Sequence, residues 1–270
     1  MFTKNIKLKN FNIKKDSQNI RKDFHLLLKD NNQVLKSLSK DYKNDFTKKK
    51  LLNFKKYKKI RIIGMGGSIL GAESIYNFLK HKIKKNFYFS NNIQTTVKSK
   101  KIKGSFLNVV VSKSGNTLET ISNVNILIKN KDTNIFITEN QKSYLYLLAE
   151  KLKAEIIHHN NFIGGRYSVL SEVGMLPAEL MGLNIAKFKQ LNNLIKNKSF
   201  INELIINVNN TLFFLKQKKF NSIILNYDEK SNDIFKWYQQ LLAESLGKKG
   251  KGVFPIISSM PKDNHSVMQF

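Results

Sequence analysis

Short apolar runs alternate with helical patterns through much of this sequence. The apolar runs lie at 60–63, 87–89, 106–111, 134–137 and 156–157, and helical patterns lead up to 79 and cover 117–128 and 143–152. Strands that alternate with helices are typical of a parallel sheet that carries helices on both faces. We therefore predict an α/β fold built on a doubly wound parallel sheet.

The alternation is interrupted once and then resumes. A helical pattern runs from Ser171 past Lys216, after which a strand at 222–226, a helix at 231–246 and a strand at 252–257 follow. A sheet with two evident strands would leave edges exposed, so we expect this second α/β unit to be incomplete. The predicted units are an N-terminal helical arm (1–54), a first α/β domain (55–160), a helical connection (161–220) and the start of a second α/β domain (221–270).

The composition narrows the class of protein. The 270 residues include no cysteine, so a disulfide framework and a thiolate metal site are both excluded, and no histidine has metal-ligand spacing. We predict no metal and no other cofactor. The sequence shows neither an apolar signal segment nor an apolar stretch long enough to span a membrane. We expect a cytoplasmic protein that binds no membrane.

The net charge of +28 would ordinarily indicate a nucleic-acid or membrane partner. Only three of the 47 basic residues are arginine, whereas proteins that read nucleic acids favour the guanidinium group for paired hydrogen bonds. The lysines are spread along the whole chain, as a compositional bias would spread them. We therefore predict no nucleic-acid partner, and a polyanion patch at lysine runs such as 48–50 stays open as the alternative.

The most specific local signal lies at 108–120. There the apolar run Val109–Val111 leads into a helix start that carries Ser112, Lys113, Ser114 and Thr117. Unpaired backbone N–H groups and the helix dipole make such a turn a site for anions, and hydroxyl groups add further donors. We predict that the turn binds a phosphate group, and simple helix capping is the alternative.

A glycine-rich turn, Gly64–Ser68, follows the first predicted strand. It does not match a dinucleotide-binding fingerprint, because the third glycine position holds Ile69 and no acidic residue follows the second strand. A Walker A sequence is absent as well. We predict that Gly67 and Ser68, at the helix start, allow the backbone to approach a small ligand; close packing of strand and helix is the alternative.

Three charged residues are candidates for chemistry. Arg166 is one of three arginines, and a guanidinium in a glycine turn indicates planar recognition of an anion or a buried ion pair. Glu244 follows an apolar pair at a helix end, so it is either a base with a raised pKa or an ordinary exposed carboxylate. His265, taken alone, is more often a surface or helix-start residue than a catalyst.

Taken together, five segments in order resemble the glucose-6-phosphate isomerase family, which is built from two doubly wound sugar-isomerase (SIS) domains with three αβα layers. The segments are 64–68 (first glycine loop), 112–117 (phosphate loop), 164–168 with Gly174 (essential arginine), 240–248 (catalytic glutamate) and 263–266 (catalytic histidine). They extend over about residues 60 to 270 of the chain. Any one of them alone would be a weak match.

The resemblance implies that glucose 6-phosphate and fructose 6-phosphate are interconverted through an enediol, a step of glycolysis and gluconeogenesis. Glu244 would move a proton between C1 and C2, Arg166 would stabilise the enediolate, and His265 would help to open the sugar ring. In the family this histidine reaches the site from the partner subunit, so a homodimer is implied. The residues implied to bind the hexose phosphate are Gly67, Ser68, Ser112, Lys113, Ser114, Thr117 and Gln240.

The sequence departs from the family pattern after the histidine. In the family the chain continues to a C-terminal helix with a lysine that assists ring opening, whereas this chain ends five residues after His265. We therefore expect an incomplete second SIS domain and assign that lysine's role to no residue here. The alternatives are a non-catalytic SIS module that binds a phosphosugar, an inactive isomerase fragment, and a relative that also accepts mannose 6-phosphate.

Overall fold

The computed structural model describes residues 18–93 and 105–269 of the chain. The polar segment predicted at 1–16 lies outside these residues. The strands are β1 (Lys59–Ile63), β2 (Asn86–Ser90), β3 (Leu107–Val111), β4 (Thr133–Thr138), β5 (Glu155–His158), β6 (Asn221–Asn226) and β7 (Phe254–Ser259). The α-helices are α1 (Gln18–Lys29), α2 (Gln33–Ser37), α3 (Lys48–Leu51), α4 (Leu70–Phe78), α5 (Leu118–Leu127), α6 (Tyr144–Lys151), α7 (Glu172–Leu180), α8 (Leu191–Leu194), α9 (Lys198–Lys216) and α10 (Asn232–Leu246).

The first five strands form one parallel sheet in the order β2-β1-β3-β4-β5. This confirms the predicted α/β class. The chain passes from β1 outward to β2 and then crosses back to β3, so the strand order reverses between β1 and β3. Open α/β sheets bind ligands beyond the carboxyl ends of the strands at such a point. The glycine turn after β1 and the serine-rich turn after β3 therefore lie side by side.

The sheet is buried on both faces because its strands are almost continuously apolar. Every residue of β3 is buried. Successive side chains of a strand point to opposite faces, and they supply two separate cores. Val109 and Ile137 pack with α7 on one side, while Val110 and Phe136 pack with Leu145 of α6 on the other. Burial on both faces is typical of parallel sheets that helices cover, so the doubly wound prediction is confirmed.

The second sheet consists of β6 and β7, which pair in parallel. Helix α10 packs on one of its faces, where the Gln239 amide nitrogen donates to the Pro255 carbonyl at 2.9 Å. The other face is open: Ile223, Leu225 and Phe254 are 52%, 42% and 60% exposed. This region therefore carries much less buried apolar surface than the first sheet.

The helical stretch predicted from Ser171 past Lys216 is divided into α7, α8 and α9. The first break follows α7, where Gly182 adopts a φ of +84°, a left-handed conformation that often ends helices. Asn184 and Asn197 then accept hydrogen bonds from backbone N–H groups and so begin new helical turns. Among the described helices, none combines the length and apolar character that a membrane crossing requires.

Candidate active site

The turn after β3 presents two hydroxyl groups next to each other. Ser112 is buried directly after the strand, and its Oγ lies 3.0 Å from the Thr117 Oγ1. Thr117 precedes the first turn of α5, but its side chain makes no capping hydrogen bond to that helix. Its hydroxyl therefore stays in the turn beside Ser112, and simple capping does not account for it.

The start of α6 holds this turn in place. Gly115 has a φ of +66°, and a Cβ atom there would lie 2.0 Å from the Ser143 Oγ. The Asn116 side-chain oxygen accepts a hydrogen bond of 3.0 Å from the Tyr144 N–H. Ser114 is exposed, and its Oγ accepts from the Asn116 N–H at 3.3 Å. The turn is thus fixed before any ligand arrives, which lowers the entropic cost of binding.

The ammonium group of Lys113 already has protein partners. It donates to the Asn161 carbonyl at 2.8 Å and lies 3.4 Å from the Glu139 carboxylate. Lys113 and Glu139 are both largely shielded from solvent, with side chains 32% and 16% exposed. Asn161 and Glu139 therefore set the position of the Lys113 ammonium group. The contact of Lys113 with substrate stays a prediction.

The glycine turn after β1 makes close contacts in two directions. A Cβ atom on Gly64 would lie 3.0 Å from the Val111 carbonyl oxygen, next to the serine-rich turn. A Cβ atom on Gly67 would lie 2.3 Å from the Gly165 carbonyl carbon and 2.4 Å from the Arg166 nitrogen. Gly67 therefore has a packing role, because only glycine lets the two backbones approach this closely.

Ser68 was predicted at a helix start, and the structure corrects this. It lies at the end of a short 3-10 turn, and α4 begins two residues later at Leu70. The delay follows from the backbone: Gly66 has a φ of +54°, and Ile69, with φ of −133°, is not yet helical. Ser68 is partly buried and faces Gly64 of the same turn.

Arg166 is held by the last turn of α10. Its Nη1 lies 2.8 Å from the Glu244 Oε1, and its Nε donates to the Ser245 Oγ at 2.9 Å. Its guanidinium lies 4.5 Å from the centre of the Tyr167 ring, and the Trp237 indole N–H donates to its carbonyl at 3.2 Å. Burial lowers the pKa of Arg166, but its contacts with Tyr167 and Glu244 outweigh this and raise it. The group is a fixed cation.

Gln240 lies one helical turn before Glu244, on the same face of α10. Its Nε2 donates to the Glu244 Oε2 at 3.3 Å, and it would lie 2.7 Å from a Cβ atom on Gly66. Its Oε1 is buried, and among the described residues it has no hydrogen-bond partner. A buried acceptor without a partner is uncommon and marks a place where a ligand or water donates. The Glu244 side chain is 50% exposed, so this group opens to solvent.

His265 lies apart from these contacts. It ends a 3-10 turn after β7 and is exposed. Asp263 of the same turn accepts hydrogen bonds from the Ser258 Oγ and the Ser259 N–H at 2.9 and 2.7 Å. Within residues 18–93 and 105–269, no hydrogen bond or ion pair joins His265 to Arg166 or Glu244. The structure therefore groups Arg166, Glu244 and Gln240, and it leaves His265 outside the group.

Two members of this group, Ser245 and Tyr167, were not predicted from the sequence. Both flank predicted site residues, but a serine in a helix and a tyrosine in a turn carry no signal of their own. Only the fold shows that their hydroxyl groups lie 2.7 Å apart. In the part of the chain that the structure describes, no cluster of three or more His, Asp or Glu residues could hold a metal ion.

Comparison with solved structures defines the class of fold. A hypothetical protein from Thermus thermophilus superposes with a TM-score of 0.72 at 20% sequence identity, over 94% of this chain and 66% of that chain. Tagatose-6-phosphate ketose/aldose isomerase from Escherichia coli superposes with a TM-score of 0.55 at 14% identity, over 82% of this chain and 61% of that chain. The chain therefore shares the α/β fold of these proteins, with its doubly wound parallel sheet.

Sequence comparison narrows this class to one family. The family model described as phosphoglucose isomerase matches residues 8–254, so the chain belongs to the phosphoglucose isomerase family. It is 33% identical to glucose-6-phosphate isomerase of Methanocaldococcus jannaschii over 84% of this chain and 60% of the relative. It is 32% identical to the enzyme of that name from Mycoplasmopsis pulmonis over 77% of this chain and 54% of the relative. The chain thus spans between 54% and 60% of the length of these relatives.

Proposed function

We propose that this chain takes part in the interconversion of glucose 6-phosphate and fructose 6-phosphate. Membership of the phosphoglucose isomerase family supports this reaction. The observation that carries the proposal is the pairing of a cation and a carboxylate, Arg166 and Glu244 at 2.8 Å, beside the unpartnered Gln240 oxygen. Proton transfer next to a developing negative charge needs such a pair.

The phosphate end of the sugar binds in the turn after β3. The Ser112, Ser114 and Thr117 hydroxyl groups donate to phosphate oxygens, together with the free N–H groups at the start of α5. The positive end of the α5 dipole favours the charge. Because Gly64 packs against Val111, a phosphate in this turn would place the rest of the sugar beside the glycine turn and near Gly67.

Glu244 is the base that moves the proton. It removes the proton from C2 of the open-chain aldose, and the electron pair forms the C1–C2 double bond of an enediolate while the C1 carbonyl oxygen becomes negative. The C2 hydroxyl proton passes to the C1 oxygen, which becomes a hydroxyl group. The proton held by Glu244 then returns to C1, and the C2 oxygen becomes the carbonyl of the ketose. A base held in place for such a transfer typically accelerates it by about 10²–10⁴.

Arg166 stabilises the enediolate oxygen. Its cation stabilises a negative charge that exists in the transition state and not in the bound sugar, so it lowers the barrier. The Gln240 Oε1 accepts a hydrogen bond from a sugar hydroxyl, which satisfies the buried oxygen. Both side chains contact Glu244, so substrate and base are aligned by the same face of α10.

His265 assists ring opening from a partner subunit, as in the family, and the active form is a homodimer in the cytoplasm that serves glycolysis and gluconeogenesis. His265 is exposed, so it is accessible to a neighbouring subunit. Ring opening supplies the open-chain sugar on which Glu244 acts.

The test is Glu244→Gln, with fructose 6-phosphate conversion measured in a coupled assay and sugar phosphate affinity measured by calorimetry. We expect kcat to fall by about 10²–10⁴ with affinity retained, because the amide cannot accept the proton. Glu229→Gln is the matched control, since Glu229 is exposed in the turn before α10. Unchanged turnover in Glu244→Gln would exclude the base assignment. Binding without turnover in the unaltered chain would identify a non-catalytic phosphosugar module.

A further inference from the structure

Besides its ion pair with Glu244, Arg166 makes a second contact with α10. The Nε of the guanidinium donates to the Ser245 Oγ at 2.9 Å, and the Tyr167 hydroxyl lies 2.7 Å from the same oxygen. The Tyr167 ring also packs under the guanidinium, 4.5 Å from its carbon. The three side chains form a closed arrangement in which each contacts the other two.

The nitrogen that Ser245 contacts matters for function. Nε is the inner nitrogen of the planar guanidinium. A hydrogen bond at Nε restricts rotation of the whole group, while the two outer nitrogens point away from Ser245. The Tyr167 ring contacts the same group, with its centre 4.5 Å from the guanidinium carbon, and restricts its movement. A flat cation held in this way presents its outer N–H groups in one direction. Ser245 and Tyr167 thus act on the orientation of Arg166 and not on its charge.

The need for a second contact follows from the proposed chemistry. When Glu244 takes a proton from the sugar, its carboxylate is neutralised, and its attraction for the Arg166 Nη1 falls at the moment when charge develops on the enediolate. A guanidinium held by Glu244 alone would then be free to turn away. The Ser245 hydroxyl is neutral and does not titrate during this step, so its hold on Nε is unchanged.

We propose that Ser245 and Tyr167 are positioning residues that keep the Arg166 guanidinium aimed at the enediolate oxygen while Glu244 carries the proton. This rests on the isomerase function proposed above. The hydrogen bond from Ser245, followed by the contact with Arg166, lowers the pKa of Tyr167, which agrees with a hydroxyl tied into this arrangement. Neither residue contacts the sugar; each acts through Arg166.

The test compares Ser245→Ala and Tyr167→Phe in the whole chain by two readouts. The first is kcat and KM for fructose 6-phosphate. The second is the affinity for two probes: a five-carbon aldonic acid 5-phosphate, whose carboxylate replaces the enediolate oxygens, and glucitol 6-phosphate, which has no charge there. Ser245→Ala should lower kcat and the affinity for the acid by about tenfold, the scale of a lost hydrogen bond to a charged group. KM and the affinity for glucitol 6-phosphate should stay within about twofold.

Tyr167→Phe should give a smaller loss, about threefold, because the ring stays under the guanidinium. Ser245→Thr keeps the hydroxyl and should recover most of the loss. Tyr238→Phe is the matched control, because it removes a tyrosine hydroxyl from α10 that makes no hydrogen bond to Arg166 in the described part of the chain. Equal weakening of both probes by Ser245→Ala, equal losses in the alanine and threonine variants, or no loss at all would overturn the proposal. If the unaltered chain lacks turnover, the isomerase function fails, while the difference between the two probes still reports the positioning role.

Discussion

The two sheets of this protein have very different surroundings, although both are parallel and both carry parts of the proposed site. Every position of β3 in the first sheet is buried, whereas alternate positions of β6 in the second are exposed. No residue of α10, which the structure describes throughout, is fully buried. The turn proposed to bind phosphate is thus attached to the tightly packed region, and the Glu244 carboxylate to the loosely packed one.

This difference assigns the proposed phosphate binding and the proposed proton transfer to regions of unequal packing. A turn fixed to a dry, close-packed sheet keeps its geometry without a ligand. Regions with few buried apolar contacts open locally at a lower free-energy cost than the core. Helix α10 packs on α4 of the first region as well as on β7, and the Ser74 Oγ donates to the Asp233 carbonyl at 2.7 Å. Local opening of α10 away from α4 would move Glu244 and leave the turn after β3 intact.

The largest expected effect comes from a matched pair of isoleucine substitutions, one in each sheet. Ile137 in β4 is 0% exposed, and Ile223 in β6 is 52% exposed. Ile137→Ala should lower the free energy of unfolding by about 2–5 kcal/mol, because it removes buried methyl groups and leaves a cavity. Ile223→Ala should cost less than about 1 kcal/mol, because its side chain is already half in water. Urea unfolding followed by circular dichroism measures both, and similar losses would mean that the two sheets are equally well packed.

A smaller effect is expected where the two regions meet. Gly67→Ala would place a Cβ atom 2.3 Å from the Gly165 carbonyl carbon, so the glycine turn and Arg166 must move apart. We expect a loss of about 1–3 kcal/mol in stability together with a fall in kcat/KM, since Arg166 is displaced from the site. Gly165→Ala is the control, because a Cβ atom there has no neighbour within 4 Å. If both variants keep full activity, the close approach at Gly67 does not position Arg166.

Much of the first region could be predicted from the sequence because local and global preferences agree there. Runs such as Val109–Val111 are too apolar for an exposed strand, and the turns after them carry the glycine, serine and threonine that helix starts require. The positions of the breaks in the helical stretch after Ser171 were not predicted, because the break at Gly182 depends on one backbone angle. Hydrophobic periodicity over a long window does not reveal a helix break at a single glycine.

Only some residues of the candidate site could be predicted from the sequence. Arg166 and Glu244 could be selected from the sequence because their types are chemically distinctive in their segments, and the structure places them 2.8 Å apart. Ser245 and Tyr167 could not, since hydroxyl groups gain a role only from what they face. The roles of the selected residues, including His265, stay predictions, because they depend on contacts with a sugar and a partner subunit.

The smallest predicted effect concerns pH and the first region alone. His159 follows β5 and is 0% exposed; burial is the main cause that lowers the pKa of its imidazole from 6.5 to about 4. As pH falls from about 6.5 to about 4, the unfolded chain binds a proton that the folded chain does not, so stability is lost over this interval. His159→Gln should remove about 1–2 kcal/mol of this loss. Urea unfolding of both proteins at neutral and acidic pH measures this difference in stability, and the effects of other titrating groups cancel in it.

If the two regions unfold in separate steps, His159→Gln should change only the step of the first sheet. An equal change in both steps would show that the two sheets unfold as one unit.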